Sequence, residues 1–447
     1  MSLAIGTRSL RLSLLFLLVT IPCVFIAVSA QQQQTLSRND RDSAQDMLRV
    51  VGNDVRKHYY DPTFHGINWD ANLQQAQAKI GKADSNGRAF SEIAAALDIL
   101  NDSHTFFLPP QRAMRHEYGW LRQMIGDHCF VTRVRPGSDA DAKGVKPGDE
   151  VLSINGFAPS RDNFWKMDYV YNVLRPQPGL RIELKDPAGA QRQADVMAKI
   201  TETKRVMDLT GESGDVWDIV REGETSGHLM DARSVTFGDD LLIVKFPIFF
   251  FTPSVIDDLL GRMRKHKAVV LDLRGNPGGS VEVLKQFLGG VFENEIKIGD
   301  RVGRDVHKPM VTKKPHDPFT GKLVVLVDSR SASAAELFAR VVQLEKRGVV
   351  MGDHSSGSVM EAKRYPNHLG TETMVFYGAS ITDADIIMSD GKSLEHTGVS
   401  PDEVALPTAA DMAANRDPVL AQAAQSLGVK ITPEKAGTLF PYEWTKD

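Results

Sequence analysis

Cysteine is almost absent from this chain: its 447 residues hold two, Cys23 and Cys129. Cys23 lies in an apolar N-terminal stretch, so the rest of the chain has Cys129 alone and no internal disulfide. Stability must then come from a buried core, of which Cys129 reads as part. No run beyond residue 28 is long and apolar enough to cross a bilayer. With 25% charged residues and a net charge of −4 there is no basic field, which excludes nucleic acid as an expected partner. The 12 histidines are scattered and cysteine pairs are missing, so no metal ligand set is expected. The patterns H-E-x-x-H, G-x-S-x-G, G-x-G-x-x-G and the Walker phosphate loop are also missing, and no cofactor is implied. What is present is a 42% hydrophobic content over a length that suits about two or three domains.

Residues 1–30 read as a secretory signal: Arg8 and Arg11, an apolar run from Leu12 to Val28, then Val28-Ser29-Ala30 before Gln31. The competing reading is a retained anchor, which Pro22 and the small-x-small ending disfavour. A membrane would then be met only transiently, and the expected location is periplasmic or secreted. Residues 31–41, opening on Gln31 to Gln34, read as a disordered tail. From Asp42 to Leu100 the apolar spacing is helical, with Met47, Val50, Val51 and Val55 close to one face, and Ile93, Ala96, Leu97 and Leu100 on another. The block closes on Asn101-Asp102-Ser103-His104-Thr105. Between residues 113 and 202, short strand signals alternate with Pro136-Gly137, Pro147-Gly148-Asp149 and Asn155-Gly156 turns. Residues 203–240 are polar and hard to read, after which strands and helices alternate as far as Leu406. Asp383 and Asp385 read as solvated loop acids.

Two strand-to-turn junctions in that last region carry the chemistry. Leu323 to Val327 is a β-branched run of buried-strand type, followed by Ser331-Ala332-Ser333-Ala334-Ala335-Glu336 and a helical stretch to Leu344. A serine there has its hydroxyl at a helix N-terminus, where backbone N–H groups stabilise an oxyanion; a plain helix cap is the alternative. Val269 to Arg274 is a second such strand and runs into Gly275-Asn276-Pro277-Gly278-Gly279, where paired glycines let N–H groups face a cleft.

Together these two turns resemble the tail-specific, or C-terminal-processing, serine protease family, with its D-L-R-x-N-x-G-G and S-A-S-A-x-E turns. The resemblance implies Ser333 as nucleophile, with Gly278 or Gly279 and the N–H of Ala334 as the oxyanion hole. It also implies a PDZ domain of the circularly permuted bacterial kind over 113–202, with its carboxylate loop near Trp120 to Gly126. A crotonase-like α/β unit is implied for 203–425.

The base is where the chain departs from the pattern. Bacterial members use a lysine in a G-E-x-x-x-G-K segment, and the equivalent Gly352-Asp353-His354-Ser355-Ser356-Gly357-Ser358 puts Ser358 in its place. Three readings follow. Ser103-His104 resembles the pair of the tricorn-type branch, which implies His104 as general base, with Ser103 and Glu395 completing a tetrad; Glu395 lies in Leu394-Glu395-His396-Thr397-Gly398-Val399, ahead of Pro401-Asp402. His354, in the turn that lacks the lysine, is the alternative base. A scaffold that binds peptides without cleaving them is the third.

The expected architecture is α+β and multidomain: a helical N-terminal block (42–112), a PDZ-like β-barrel domain (113–202), a crotonase-like α/β catalytic domain (203–425) and a C-terminal extension (426–447). The expected function is a serine endopeptidase that takes a polypeptide by its extended C-terminal end. A homo-oligomer is left open, and a lipid carrier using Ile248 to Phe251 as an apolar lining is the remaining non-enzyme reading.

Overall fold

The computed structural model describes residues 36–202, 231–314, 316–370 and 374–444. The signal over 1–30 and most of the polar connection over 203–240 lie outside them. Helix α1 (Arg38–His58) begins inside the stretch expected to be a disordered tail: the Ser37 side chain accepts from Asp40 N, and Leu36 is already buried. Ala44, Met47, Leu48, Val51 and Val55 recur at helical spacing and form its buried stripe. Helices α2 (Trp69–Ile80) and α3 (Asn86–Asp98) pack beside it.

This block does not end as a separate unit. Its last segment forms β1 (Phe106–Leu108), which pairs antiparallel with β17 (Val375–Met388), Phe107 opposite Ala379. β17 also carries β12 (Lys297–Gly303) with β13 (His307–Val311), and β16 (Met360–Leu369). Asp383 and Asp385 therefore sit in a strand. Asp383 pairs with Arg301 and Lys363, and Asp385 accepts from Ser393, because sheet pairing overrides the loop-like local sequence.

The PDZ-like unit is a five-stranded antiparallel sheet in the order β3 (Trp120–Ile125), β4 (His128–Val134), β5 (Glu150–Ile154), β6 (Gly179–Lys185), β7 (Gln191–Met197). Short helices α4 (Asp139–Ala142) and α5 (Phe164–Asp168) accompany it, and β2 (Met114–Glu117) pairs with β8 (Lys199–Glu202) where the chain enters and leaves. Trp120 to Ile125, expected as a carboxylate loop, is the edge strand itself.

A six-stranded sheet runs in the order β18 (Glu403–Val404), β15 (Val349–Gly352), β14 (Lys322–Val327), β11 (Ala268–Asp272), β10 (Leu241–Lys245), β9 (Arg233–Phe237). All its pairings are parallel except β9 with β10. Alternate residues such as Leu242, Val244, Val269 and Leu271 face α6 (Pro253–Met263), α7 (Val281–Gly289) and α8 (Ala334–Leu344). The opposite set, including Ile243, Val270 and Leu326, is covered by α10 (Pro418–Ser426) and α11 (Pro433–Gly437), which follow the short α9 (Ala409–Ala413). Residues 426–447, expected as an appended extension, thus supply part of a core: Leu427, Ile431 and Phe440 pack on this face. A parallel sheet needs both faces covered, and the chain end is what covers the second.

Candidate active site

β14 ends at Val327, and the chain turns through Asp328 to Ser333 into α8. Ser333 stands at the helix N-cap with φ +53° and ψ −118°. A non-glycine residue held there stores about 1–3 kcal/mol of strain. The conformation is locked from several sides: Ser333 N donates to Ser358 O (2.7 Å) and to Glu336 Oε2 (2.9 Å), and Ala332 N donates to Asn276 O (2.9 Å). Ser331 Oγ donates to Leu273 O at 2.8 Å, tying this turn to the one after β11.

That second turn holds Gly278 (φ +99°) and Gly279 (φ +136°). A Cβ on Gly278 would stand 2.6 Å from Ser333 Cβ and 2.9 Å from Ala334 N; one on Gly279 would stand 2.5 Å from Phe249 O. Only glycine fits, by conformation and by space. Gly278 N is already engaged, donating to Asn276 Oδ1 at 2.8 Å. Asn276 is fully buried, its Nδ2 donating to Phe246 O, so it holds Gly278 from below. Among the described residues the N–H groups of Gly279 and Ala334 carry no hydrogen bond, which leaves these two of the three expected donors open to an oxyanion.

His104 arrives from the other end of the chain because β1 pairs with β17. Ser103 Oγ lies 2.7 Å from His104 Nδ1 and donates to Glu395 Oε2 (3.0 Å), while Ser103 N donates to Glu395 Oε1 (2.7 Å). A hydroxyl has one proton. With that proton on Glu395, Ser103 Oγ accepts from Nδ1–H, and the lone pair of His104 is left on Nε2. Glu395 also accepts from Val359 N at 2.9 Å. The Ser358–Val359 peptide therefore joins both halves of the site: its carbonyl takes Ser333 N–H and its N–H binds Glu395. Among the described residues no hydrogen bond joins His104 directly to Ser333, a contact that catalytic sites commonly complete only on binding substrate. Ser358, where a lysine was expected, contributes its backbone.

His104 is buried, and desolvation pulls its pKa down to about 4 against the opposing pull of Asp102. Burial raises the Glu395 carboxyl above its ordinary value, opposed by its backbone donors. Asp102 accepts from His104 N, Thr105 N and Thr105 Oγ1 (2.8 Å each) and from Thr382 Oγ1 (2.7 Å). It fixes the backbone of the histidine and faces it with negative charge. His354 is placed differently. Its Nδ1 lies 3.3 Å from Ser355 O, and among the described residues no hydrogen bond takes its ring to Ser333, Ser103 or Glu395.

Two residues of the candidate site went unread in the sequence. Glu336 is fully buried and accepts from Ser333 N, Ser355 Oγ (2.6 Å), Gly357 N (2.8 Å) and Ser358 N (3.0 Å), stapling the nucleophile turn to the loop behind it. Desolvation pushes its carboxyl up to about 7 in spite of these donors. A signal existed: an acid three residues after an N-cap serine is a capping box. Asp102 carried none, since its partner Thr382 is distant in sequence. Among the described residues no group of three or more His, Cys, Asp and Glu side chains could hold a metal ion.

Known proteins match this arrangement in three segments. Residues 240–405 match the model of peptidase family S41, residues 40–91 the tricorn protease C1 domain and residues 114–171 the PDZ domain. The S41 match over residues 240–405 supports the family expected from the two turns. S41 is a family of serine-type peptidases, and the chain spans 59% and 36% of the lengths of the first two relatives it matches. The chain is 27% identical over 323 residues to carboxyl-terminal-processing peptidase 3, chloroplastic, of Arabidopsis thaliana, covering 68% of this chain and 59% of that protein's own length. It is 24% identical over 415 residues to the carboxyl-terminal-processing protease of a Picosynechococcus species, covering 85% and 87%. Its fold is like that of mature CPAF, with a TM-score of 0.63 at 14% identity over 88% of this chain and 100% of the other. The multidomain α+β architecture agrees with expectation.

Proposed function

We propose that this chain is a serine endopeptidase that cleaves polypeptides near their C-terminal ends, with Ser333 as nucleophile, His104 as general base, and Ser103 and Glu395 orienting the histidine. The observation that carries the reading is the Glu395–Ser103–His104 hydrogen-bond chain, which leaves the Nε2 lone pair of His104 open and shares a peptide bond with Ser333. Ser333 Oγ attacks the scissile carbonyl as Nε2 takes its proton, and the oxyanion is met by Gly279 N–H and Ala334 N–H. Collapse of the tetrahedral species returns the proton to the departing amine and leaves an acyl-enzyme. Water, deprotonated by the same nitrogen, then releases the acyl group. Ser103 and Glu395 stabilise the transient imidazolium, which a buried, neutral histidine otherwise disfavours. Each oxyanion donor contributes about 3 kcal/mol in such sites.

The PDZ-like unit supports a role in substrate delivery. Its edge strand β3 touches the nucleophile turn, with Gln123 Nε2 donating to Asp328 Oδ2 (2.7 Å) and Ser329 Oγ to Met124 O (2.5 Å). An extended chain end added at such an edge would lie beside the catalytic turn. The periplasmic or secreted location belongs to the same reading. Among the described residues no helix is long and apolar enough to cross a membrane.

Reaction of the purified chain with a fluorophosphonate probe tests the assignment. Wild type is expected to label, Ser333→Ala to lose labelling entirely and His104→Ala to lose it by about a thousandfold or more, with His354→Ala unchanged. Loss with His354→Ala in place of His104→Ala moves the base to the 352–357 turn. A wild type that never labels, even with peptide bound, makes the chain a non-cleaving peptide scaffold.

A further inference from the structure

On the opposite face of the catalytic sheet from α8 lies a cavity of about 390 Å³ that the proposed chemistry does not use. Three parts of the chain enclose it. The PDZ-like unit contributes Leu121, Ile125 and Arg133, the strand ends contribute Lys245, Asp272 and Asp328, and the C-terminal segment contributes Asp417 and Phe440. Its size suits a small ligand, and its walls are mainly apolar with several charged side chains among them.

Those polar groups are unbalanced in sign. Arg133, Arg233, Lys245, Arg274, Arg330 and Arg416 line the cavity against the acids Asp272, Asp328, Asp353 and Asp417, and every acid is already engaged. Asp272 pairs with Lys245 and Arg274, and Asp417 takes both Nη1 (3.0 Å) and Nη2 (2.7 Å) of Arg274. Asp353 pairs with Arg161. Asp328 accepts from Gly275 N (2.8 Å), Arg330 N (3.0 Å) and Gln123 Nε2 (2.7 Å). Among the described residues, Arg133 and Arg233 form no salt bridge with a carboxylate. Arg133 donates to its neighbour's carbonyl, Thr132 O, at 3.0 Å; Arg233 donates to Pro441 O at 3.0 Å and stacks on Phe440, its Nε buried and without a hydrogen bond. Burial lowers the pKa of Arg133, against opposing pulls from Tyr442 and Asp417. A guanidinium fork in an apolar cavity is matched by a planar carboxylate, which accepts two parallel N–H bonds.

We propose that this cavity binds an organic carboxylate, its charged end on Arg133 and Arg233 and its apolar body against Leu121, Ile125 and Phe440. The site is independent of the peptidase reading. Its lining nevertheless includes Asp328, which bonds to both catalytic turns: its carboxylate accepts from Gly275 N (2.8 Å) and its N–H donates to Ser331 Oγ (2.9 Å). Such a carboxylate has two sources, a small free acid or the C-terminal residue of a polypeptide.

Calorimetric titration of the Ser333→Ala chain, which consumes no probe, separates them. The probes are sodium hexanoate, the pentapeptide Ala-Leu-Ala-Leu-Leu as free acid, and the same peptide as amide. Saturable binding of hexanoate, or of the peptide acid but not its amide, is expected. Arg133→Met and Arg233→Met should each weaken that binding by about tenfold or more, the loss of one charge-assisted pair. Arg133→Lys keeps the charge without the fork and should fall between, which separates a lost ligand from a lost fold. No saturable binding of either acid, or binding unchanged in both methionine variants, overturns the proposal.

Discussion

Ser333 holds its place at the helix N-cap under backbone strain, since φ +53° and ψ −118° suit glycine and little else. Ser333→Gly is therefore expected to abolish activity while raising folding stability by about 1 kcal/mol, read as an upward shift in the urea midpoint; an unchanged or lower midpoint would show that the turn is not strained. At Glu336 the pH dependence can be followed. Its carboxyl titrates near 7 when folded against 4.5 ordinarily, while burial takes His104 down to about 4. The folded chain holds the Glu336 proton more tightly than the unfolded chain, so ionising it works against the fold. That loss of stability begins above pH 4.5 and is complete above about 7. Activity needs the ionised form, because a protonated oxygen cannot accept from all four donors. The acid limb of kcat/KM is thus expected near pH 7, set by Glu336, well above the value of His104. A limb near pH 4 would mean that the histidine sets it and that the staple is dispensable.

The elements that meet at the site are held by side chains from neighbouring units. Arg161, from the PDZ-like unit, donates to Gly126 O (2.8 Å), His354 O (3.1 Å) and Asp353 Oδ2 (2.7 Å), and so binds that unit to the turn ahead of Ser358. Arg161→Met is expected to lower kcat/KM on a long polypeptide by about tenfold, the effect of losing one partly buried, multiply bonded cation. Hydrolysis of a short ester should change little, because Ser333, Gly279 and Ala334 do not depend on that contact. Equal losses on both substrates would place Arg161 in the support of the nucleophile turn instead.

Across the whole molecule, the C-terminal segment and the oxyanion turn share one buried charge network. Arg274, directly before Gly275, bridges Asp272 in β11 to Asp417, the N-cap of α10. Removing one partner of such a group strands buried charge, so Arg274→Met is expected to cost about 3–5 kcal/mol, measured by denaturant unfolding. A cost below about 1 kcal/mol would show that the network is solvated and that α10 docks through its apolar face alone.

Local chemistry was legible in the sequence wherever a side chain's job depends on its near neighbours. The β-branched runs, the paired glycines at 278–279 and the serine ahead of a helix mark their own turns, because sterics and helix capping act over a few residues. The capping-box spacing of Glu336 was legible in the same way. Residues whose roles rest on distant partners were not. Asp102 matters through Thr382, the closing residues through the uncovered face of a parallel sheet, and Asp383 and Asp385 through neighbouring strands. Gly278 was an open oxyanion donor until the folded turn showed Asn276 accepting its N–H. Hydrogen bonds and apolar burial join groups by distance in space, and only the tertiary fold sets those distances. The short-range rules of the chain thus determined the turns and the serine held at the head of a helix, and the pairing of β1 with β17 decided which histidine stands in the hydrogen-bond chain beside them.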